Sequence, residues 1–374
     1  MRKKIFFLFY ILMSAGIFFS VVKSCLAKDS FAALVQNMES TIEGGIPGRS
    51  KLREIYGFAN KIISPNEIAA DGGATIKDEN GFLESINYVS YDISEAESKI
   101  CELNEVCKSS NTDFVYVSYP SKTNTQTTAE YYGIETNREE TRNNFLNRLK
   151  DNGINILNVR ALLEEDGYQV KDIFYKTDHH WKSTAGLYGA RAIVNYLNDS
   201  FDYKLRADML DESQFEFTTY PDLWLGEEGR KVSKSWVGAL DDFTEIKPVY
   251  ETSLHVGAYG SEEKNEGDFS LLIDESGYNG EVNLYSYSAH YSYLGSGSLT
   301  EIHNNNVDGR KILIIKDSFS VVVIPFLSLA TSDVVVWDMR TTTEGLYDFI
   351  EQNDFDVVLL AYTDFWRADM YKFN

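Results

Sequence analysis

Cysteine is scarce in this sequence: three residues in 374, at positions 25, 101 and 107. That scarcity excludes a disulfide-framed fold and any zinc site of the CxxC kind. Cys101 and Cys107 lie within "SKICELNEVCKSS", whose pattern predicts a helix. On one continuous helix they stand about 9 Å apart along the axis, too far to bridge, and both read as packing residues. Positive charge is also in deficit. Lys and Arg total 35 against 57 acidic residues, for a formal charge of −22, which argues against a nucleic-acid partner and for an acidic, soluble surface. With only six prolines, no internal repeat and no low-complexity tract, nothing divides the chain into repeated units or Pro-rich spacers. Aromatic residues are abundant instead, at 14% with 24 Tyr and 22 Phe; such rings serve β-rich packing first and sugar stacking second.

The length admits one large α/β domain with elaborations or two smaller domains, and one core with an insertion is the expectation. At the N-terminus Arg2-Lys3-Lys4 precedes an apolar run from Ile5 to Val22 and small residues ending at Ala27. This is the pattern of an export signal, so residues 1–27 are expected to be a cleaved signal or a retained anchor, with the rest working outside the cytoplasm. The run of about 18 residues approaches a membrane span. Lys23 fits poorly with lipid modification of Cys25.

From residue 113 a regular alternation begins. "DFVYVSYP" reads as a strand, "REETRNNFLNRLKDNG" as a helix closing on Gly153, "INILNV" as a strand and "KSTAGLYGARAIVNYLN" as a helix. Between about 199 and 308 the pattern turns to Tyr, Ser and Gly, as in "EVNLYSYSAHYSYLGSGS", and an insertion of irregular and β structure is expected. The alternation resumes with strand "KILIIK", a helix from Phe319 to Ala330, strand "DVVVWDM", helix "TEGLYDFIEQN" and strand "FDVVLLAY". These strands are apolar throughout, as a parallel sheet covered on both faces requires.

Two stretches carry chemistry. In "ILIIKDSFS" a buried-type strand turns sharply at Asp317-Ser318 into a helix, placing a serine at the carboxyl end of a strand, where open α/β sheets hold ligands. The free N–H groups and dipole of the helix would stabilise an oxyanion there, while the bland reading is that Asp317 or Ser318 only caps it. In "YKTDHHWKSTAG" Asp178 and His180 suit an imidazole oriented by a carboxylate, the base a serine hydroxyl needs. A polar turn is the bland alternative. Zinc on Asp178, His179 and His180, with a further ligand from His255, His290 or His303, is the third reading.

Read from Ser318 to the C-terminus and then on from residue 113, the strand order resembles that of the SGNH (GDSL-like) serine hydrolases, with the serine after the first strand and Asp and His before the last helix. "YKTDHHWKSTAG", "YLGSG", "EIHNNN", "ILIIKDSFS", "IPFL" and "VVWDMR" resemble the DHHW proteins, relatives of the alginate O-acetylation proteins, over most of residues 80–374. The resemblance implies a circularly permuted, three-layer α/β/α SGNH-hydrolase-like domain with a central parallel sheet and a β-rich insertion. It also implies a nucleophile at Ser318, a general base at His180 and an orienting carboxylate at Asp178. Residues 28–110 are then its lead-in and 111–374 its catalytic domain. His179 and Trp181 become rim and packing residues.

The sequence departs from the wider SGNH pattern at three places. Lys316 replaces a glycine before Asp-Ser, Met339-Arg340-Thr341 stands in the second block, and "AYTD" stands where an oxyanion donor is usual. Thr363 is a candidate donor through its hydroxyl, Arg340 for an oxyanion or a substrate carboxylate, and Lys122 for the same rim; structural packing is the bland reading of each. The implied function is an extracytoplasmic serine O-acetyltransferase or acetylesterase acting on a polysaccharide, with no cofactor or metal. The resemblance favours transfer, with a membrane-bound O-acyltransferase as acetyl donor. The competing class is a non-catalytic polysaccharide-binding surface protein with a degenerate triad.

Overall fold

A computed structural model describes residues 49–374 except 71–72, 87–92, 123–137, 279–281, 283, 285–287, 294–298, 343–344, 364–367 and 374. The export-signal or anchor segment lies outside the described residues. Among those described, no helix is long and apolar enough to cross a membrane.

The chain divides into two units, residues 1–65 with 232–238, and residues 66–231 with 239–374. The division at Pro65 falls inside the stretch expected as a lead-in. In the first unit, the helix Arg49–Ile63 is tied to the segment after Val232: the Glu54 carboxylate accepts from the Ser235 N–H at 3.0 Å, and Trp236 Nε1 donates to the Ser64 carbonyl at 3.1 Å. Gly57 permits the close approach, since a Cβ there would lie 1.8 Å from Ser233 Oγ.

The second unit holds the chemistry-bearing stretches. Its strands are β1 (Glu67–Ala70), β2 (Gly73–Lys77), β3 (Leu83–Ile86), β4 (Asp113–Ser118), β5 (Asn155–Asn158), β6 (Phe215–Trp224), β7 (Asp241–Pro248), β8 (Leu254–Ala258), β9 (Asn265–Gly267), β10 (Leu299–Asn304), β11 (Lys311–Lys316), β12 (Asp333–Asp338) and β13 (Val357–Tyr362). The main sheet runs β5-β4-β13-β11-β12-β10-β8-β9. From β5 to β12 all pairings are parallel; β10, β8 and β9 continue the sheet antiparallel. Counted from β11 in the wrapped order, the parallel strands stand 2-1-3-4-5, so the order reverses between β11 and β13. That reversal opens a crevice at the strands' carboxyl ends.

Alternate residues of the parallel strands feed two cores. Val115, Ile312, Ile314, Val334, Val336 and Leu359 pack on one face with the helix Ser183–Phe201 through Ala185, Leu187, Ile193 and Leu197. Leu313, Ile315, Val335, Val358 and Leu360 pack on the other, with Ile100 and Leu103 of the helix Ile93–Ser109 and Leu149 of the helix Arg138–Asp151. Helices on both faces make three layers, and explain why these strands carry no polar alternation.

Two expectations change. The stretch 199–308 is in part an extension of the main sheet. β8 buries only alternate residues, which erases the continuous apolar signature of a doubly covered strand. The helix expected from Phe319 to Ala330 is a 3-10 turn, Ser318–Val322, followed by a short helix, Ile324–Leu327. Pro325 offers no N–H and the β-branched run Val321–Val323 disfavours helix, so a long helix does not form.

Candidate active site

β11 ends at Lys316, and the next two residues bring the sheet's central strand to the crevice. Asp317 closes the turn: its Oδ1 accepts from the Phe319 N–H at 2.8 Å, and its Oδ2 accepts from the Thr363 N–H at 2.7 Å and from the Thr363 hydroxyl. The turns after β11 and β13 are thereby tied together across the reversal. Ser318 then projects Oγ to within 2.8 Å of His180 Nε2, and His180 Nδ1 lies 2.6 Å from Asp178 Oδ1. A carboxylate only accepts, so Nδ1 carries the hydrogen and Nε2 is free to accept from the serine.

Asp178 and His180 are both buried. Besides the imidazole, Asp178 accepts from the backbone N–H of His180 at 2.9 Å and of Glu227 at 2.6 Å. Burial works to raise its carboxyl, but the charge and hydrogen bond of His180, then His179 and the Glu227 N–H, hold it well below the usual carboxylate range. The site therefore contains a fixed anion at the end of the chain Ser318–His180–Asp178.

The loop that carries the pair is held from several sides. Asp241 accepts from the N–H groups of Lys176 at 2.6 Å and Thr177 at 2.8 Å, and from the Thr177 hydroxyl. Trp181 is buried and donates its indole N–H to the Phe319 carbonyl at 2.9 Å, joining this loop to the serine turn. Gly226 is required by space: a Cβ there would lie 2.4 Å from Asp178 Cβ and 2.5 Å from the Thr177 carbonyl.

The remaining sequence candidates take other places. Lys122 is buried beneath the loop, where its ammonium donates to the Asp178 carbonyl at 2.8 Å and the Lys176 carbonyl at 3.0 Å, and lies 3.4 Å from Glu228. It supports the Asp178 backbone. The Thr363 hydroxyl is engaged with Asp317. Arg340 grips Asp338 through Nε at 2.8 Å and a terminal nitrogen at 2.6 Å, and stays partly exposed. Asp338 also holds the buried Lys316 at 2.6 Å. Burial would raise the Asp338 carboxyl, but Arg340 and Lys316 bring it down to about 2. Burial pushes the Lys316 ammonium down as well, more than the opposing pull of Asp338 and Asp317 restores.

The sequence did not mark Tyr291, marked Phe319 only within the "KDSFS" motif and as the start of a helix, and entertained His290 only as a metal ligand. The Tyr291 ring stands edge-on to His180, with centroids 5.6 Å apart, and Phe319 flanks the same imidazole at 5.2 Å. Burial raises the Tyr291 phenol, while the charge of Arg340 and hydrogen-bonding contacts with Ser318 and Arg340 work against it. His290 is buried against His180 and Ser318. His290 and Tyr291 come from the Ala289–Ser292 turn, which precedes the serine turn with no recognisable spacing, whereas Phe319 directly follows the serine. His255 and His303 face each other across β8 and β10, each beside a carboxylate, Glu266 and Asp333. Among the described residues the ligand-bearing atoms of Asp178, His179 and His180 converge within 4.8 Å. An ion there would compete with His180 for Asp178 Oδ1.

A family model described as the SGNH hydrolase-like domain of the acetyltransferase AlgX matches residues 85–227, a span that includes Asp178 and His180 and ends before Ser318. The fold is similar to that of Bacillus cereus PatB1, at 21% identity over 83% of this chain and 100% of that chain, with a TM-score of 0.65. PatB1 with a sulfonyl adduct matches at 20% identity over 82% and 98% of the two chains, TM-score 0.65. A DHHW family protein from Eubacterium siraeum matches at 19% identity over 78% and 91%, TM-score 0.57. No curated protein matches the chain. The resemblance read from the motifs is borne out, and the fold is that of an SGNH hydrolase-like domain.

Proposed function

We propose that this protein is a serine-dependent carbohydrate O-acetyltransferase that works outside the cytoplasm. One observation carries the reading: Ser318 Oγ, His180 and Asp178 form a continuous hydrogen-bonded chain with links of 2.8 and 2.6 Å, at the crevice where the strand order reverses. His180 takes the hydroxyl proton as Ser318 Oγ attacks the acyl carbonyl, then delivers that proton to the departing donor group as the tetrahedral adduct collapses to acyl-Ser318. A sugar hydroxyl surrenders its proton to His180 and attacks the ester carbonyl. Ser318 leaves with that proton, and the acetylated sugar is released. Water in place of the sugar gives hydrolysis.

Asp178 holds the imidazole in the tautomer that accepts from serine and stabilises its cation. The 3-10 turn is too short to supply a substantial dipole. The Tyr291 ring stands edge-on to His180, and we assign its phenol as the donor to the oxyanion. Acetyl transfer rather than hydrolysis, a polysaccharide as acceptor and a membrane-bound O-acyltransferase as donor all follow from the family resemblance; the AlgX description of the matched span supports the first.

A sulfonyl adduct has been formed on PatB1, and the same class of reagent tests this chain. Phenylmethanesulfonyl fluoride is expected to modify Ser318 of the wild type, located by peptide mass. Absence of label on folded protein, with no ester turnover, returns the chain to the non-catalytic polysaccharide-binding class.

A further inference from the structure

Beyond the three residues of the hydrogen-bonded chain, the buried His290 touches two of them. Its Nε2 lies 2.6 Å from the carbonyl oxygen of Ser318, and its ring stacks on that of His180, with centroids 3.9 Å apart and planes 15° from parallel. A carbonyl only accepts, so Nε2 carries the hydrogen and Nδ1 keeps a bare lone pair. That nitrogen is buried with no hydrogen-bond partner among the described residues, an arrangement that by itself costs stability. Burial first, and then the charge of His180, push the His290 imidazole well below the usual histidine range, against the opposing pull of the Ser318 carbonyl and Asp178. At neutral pH the ring is uncharged.

His179 supplies a second ring, 3.9 Å from His180 and tilted by 35°. Two rings cannot share one face of an imidazole at that distance, so His180 lies between them. Burial and the charge of His180 push His179 down too, leaving neutral ring faces on either side of the base. A cation forming between such faces is attracted by their π systems, most strongly where water is excluded. The packing of the Ala289–Ser292 turn against the serine turn puts one of those faces in place.

We propose that His290 is a positioning residue of this site: its Nε2–H fixes the backbone of the nucleophile, and its neutral ring is the platform on which the His180 imidazolium forms. The proposal rests on the reading of Ser318 as nucleophile. The groups facing the stacked pair are Asp178, His179, Ser318, Tyr291 and Phe319. Beyond them, Glu227 and Glu228 act on His179 and Arg340 acts on Tyr291.

The test separates the ring from the donor. His290→Phe keeps a ring without the N–H, His290→Gln keeps a donor without the ring, and His290→Leu keeps neither. The full chain, these variants and Ser318→Ala are treated with phenylmethanesulfonyl fluoride across a pH series; peptide mass follows label on residue 318, and thermal melting verifies folding. Leucine is expected to slow labelling by about tenfold or more. In the Gln and Leu variants the acid limb of the rate moves to lower pH, because the cation has lost its platform; in the Phe variant the limb stays in place while the rate falls. Folded Gln and Leu variants that label at the wild-type rate with an unmoved limb overturn the proposal alone. If leucine prevents folding, identical limbs for Phe and Gln do the same. A wild type that takes no label at Ser318 overturns the nucleophile reading and this proposal with it.

Discussion

Asp178 is the residue whose loss separates chemistry from architecture. Its oxygens accept from the His180 ring and from two backbone N–H groups, and an asparagine of the same shape keeps some of these bonds while giving the imidazole the wrong tautomer. Asp178→Asn is expected to lower ester turnover by about 10⁴-fold while thermal unfolding stays cooperative; a variant within tenfold of wild type would remove Asp178 from the mechanism. Its carboxyl is depressed in the fold, so it stays ionised throughout the neutral range, and its stabilisation is lost only on acidification below the usual carboxylate range. The convergence of Asp178, His179 and His180 on one volume makes chelation informative. With Asp178 Oδ1 and His180 Nε2 engaged by protein groups, EDTA is expected to leave the labelling rate of Ser318 unchanged, whereas loss of rate restored by zinc would favour a metal-dependent mechanism.

Among the elements, the loop from Thr177 to Trp181 is held in place by residues far from it in the chain. Gly226 lies against it so closely that a methyl group would meet the Asp178 Cβ at 2.4 Å. Gly226→Ala must therefore shift the orienting carboxylate, and a displacement of about 1 Å at a reacting group is enough to cost on the order of 100-fold. Ester turnover of this variant, compared with its melting temperature, should show an activity loss out of proportion to the loss of stability. Gly186 has the same relation to the serine turn: a Cβ there would sit 2.6 Å from the Val322 carbonyl. Gly186→Ala is expected to cost about 1–3 kcal/mol in urea unfolding as the helix Ser183–Phe201 is pushed off the turn; unchanged stability would mean that the helix and turn can separate freely.

For the whole molecule, the acid limit of stability is set in part at the sheet's carboxyl edge. Asp338, between Lys316 and Arg340, titrates at about 2 in the fold, against about 3.9 in an unfolded chain. A depressed carboxylate stabilises the fold fully above the unfolded value and loses that contribution as pH falls from about 4 through about 2. Urea unfolding should therefore give a stability that declines across this interval. Asp338→Asn should flatten this part of the decline and cost about 3–5 kcal/mol at neutral pH, since it leaves the Lys316 ammonium buried without its anion. Equal pH dependence in the two proteins would place the acid sensitivity elsewhere.

The sequence by itself determined the apolar strands, the turn at Asp317-Ser318 and the pairing of Asp178 with His180, because each is a local pattern: continuous burial along a strand, a sharp stop after it, an aspartate two residues from a histidine. It also carried the wrapped strand order, since that order follows from elements read one after another. The tertiary structure decided which groups meet. Ser318 and His180 are 138 residues apart, and the stack of His290 on His180 spans two segments with no shared periodicity. Thr363 and Arg340 were legible as polar residues near strand ends, but their partners, Asp317 and Asp338, are fixed only by the register of β11 against its neighbours. Lys122 was legible as a charge after β4; only the fold turns it beneath the loop. Side-chain direction at a strand's end depends on what packs above it, and that is a property of the assembled sheet rather than of any stretch of chain.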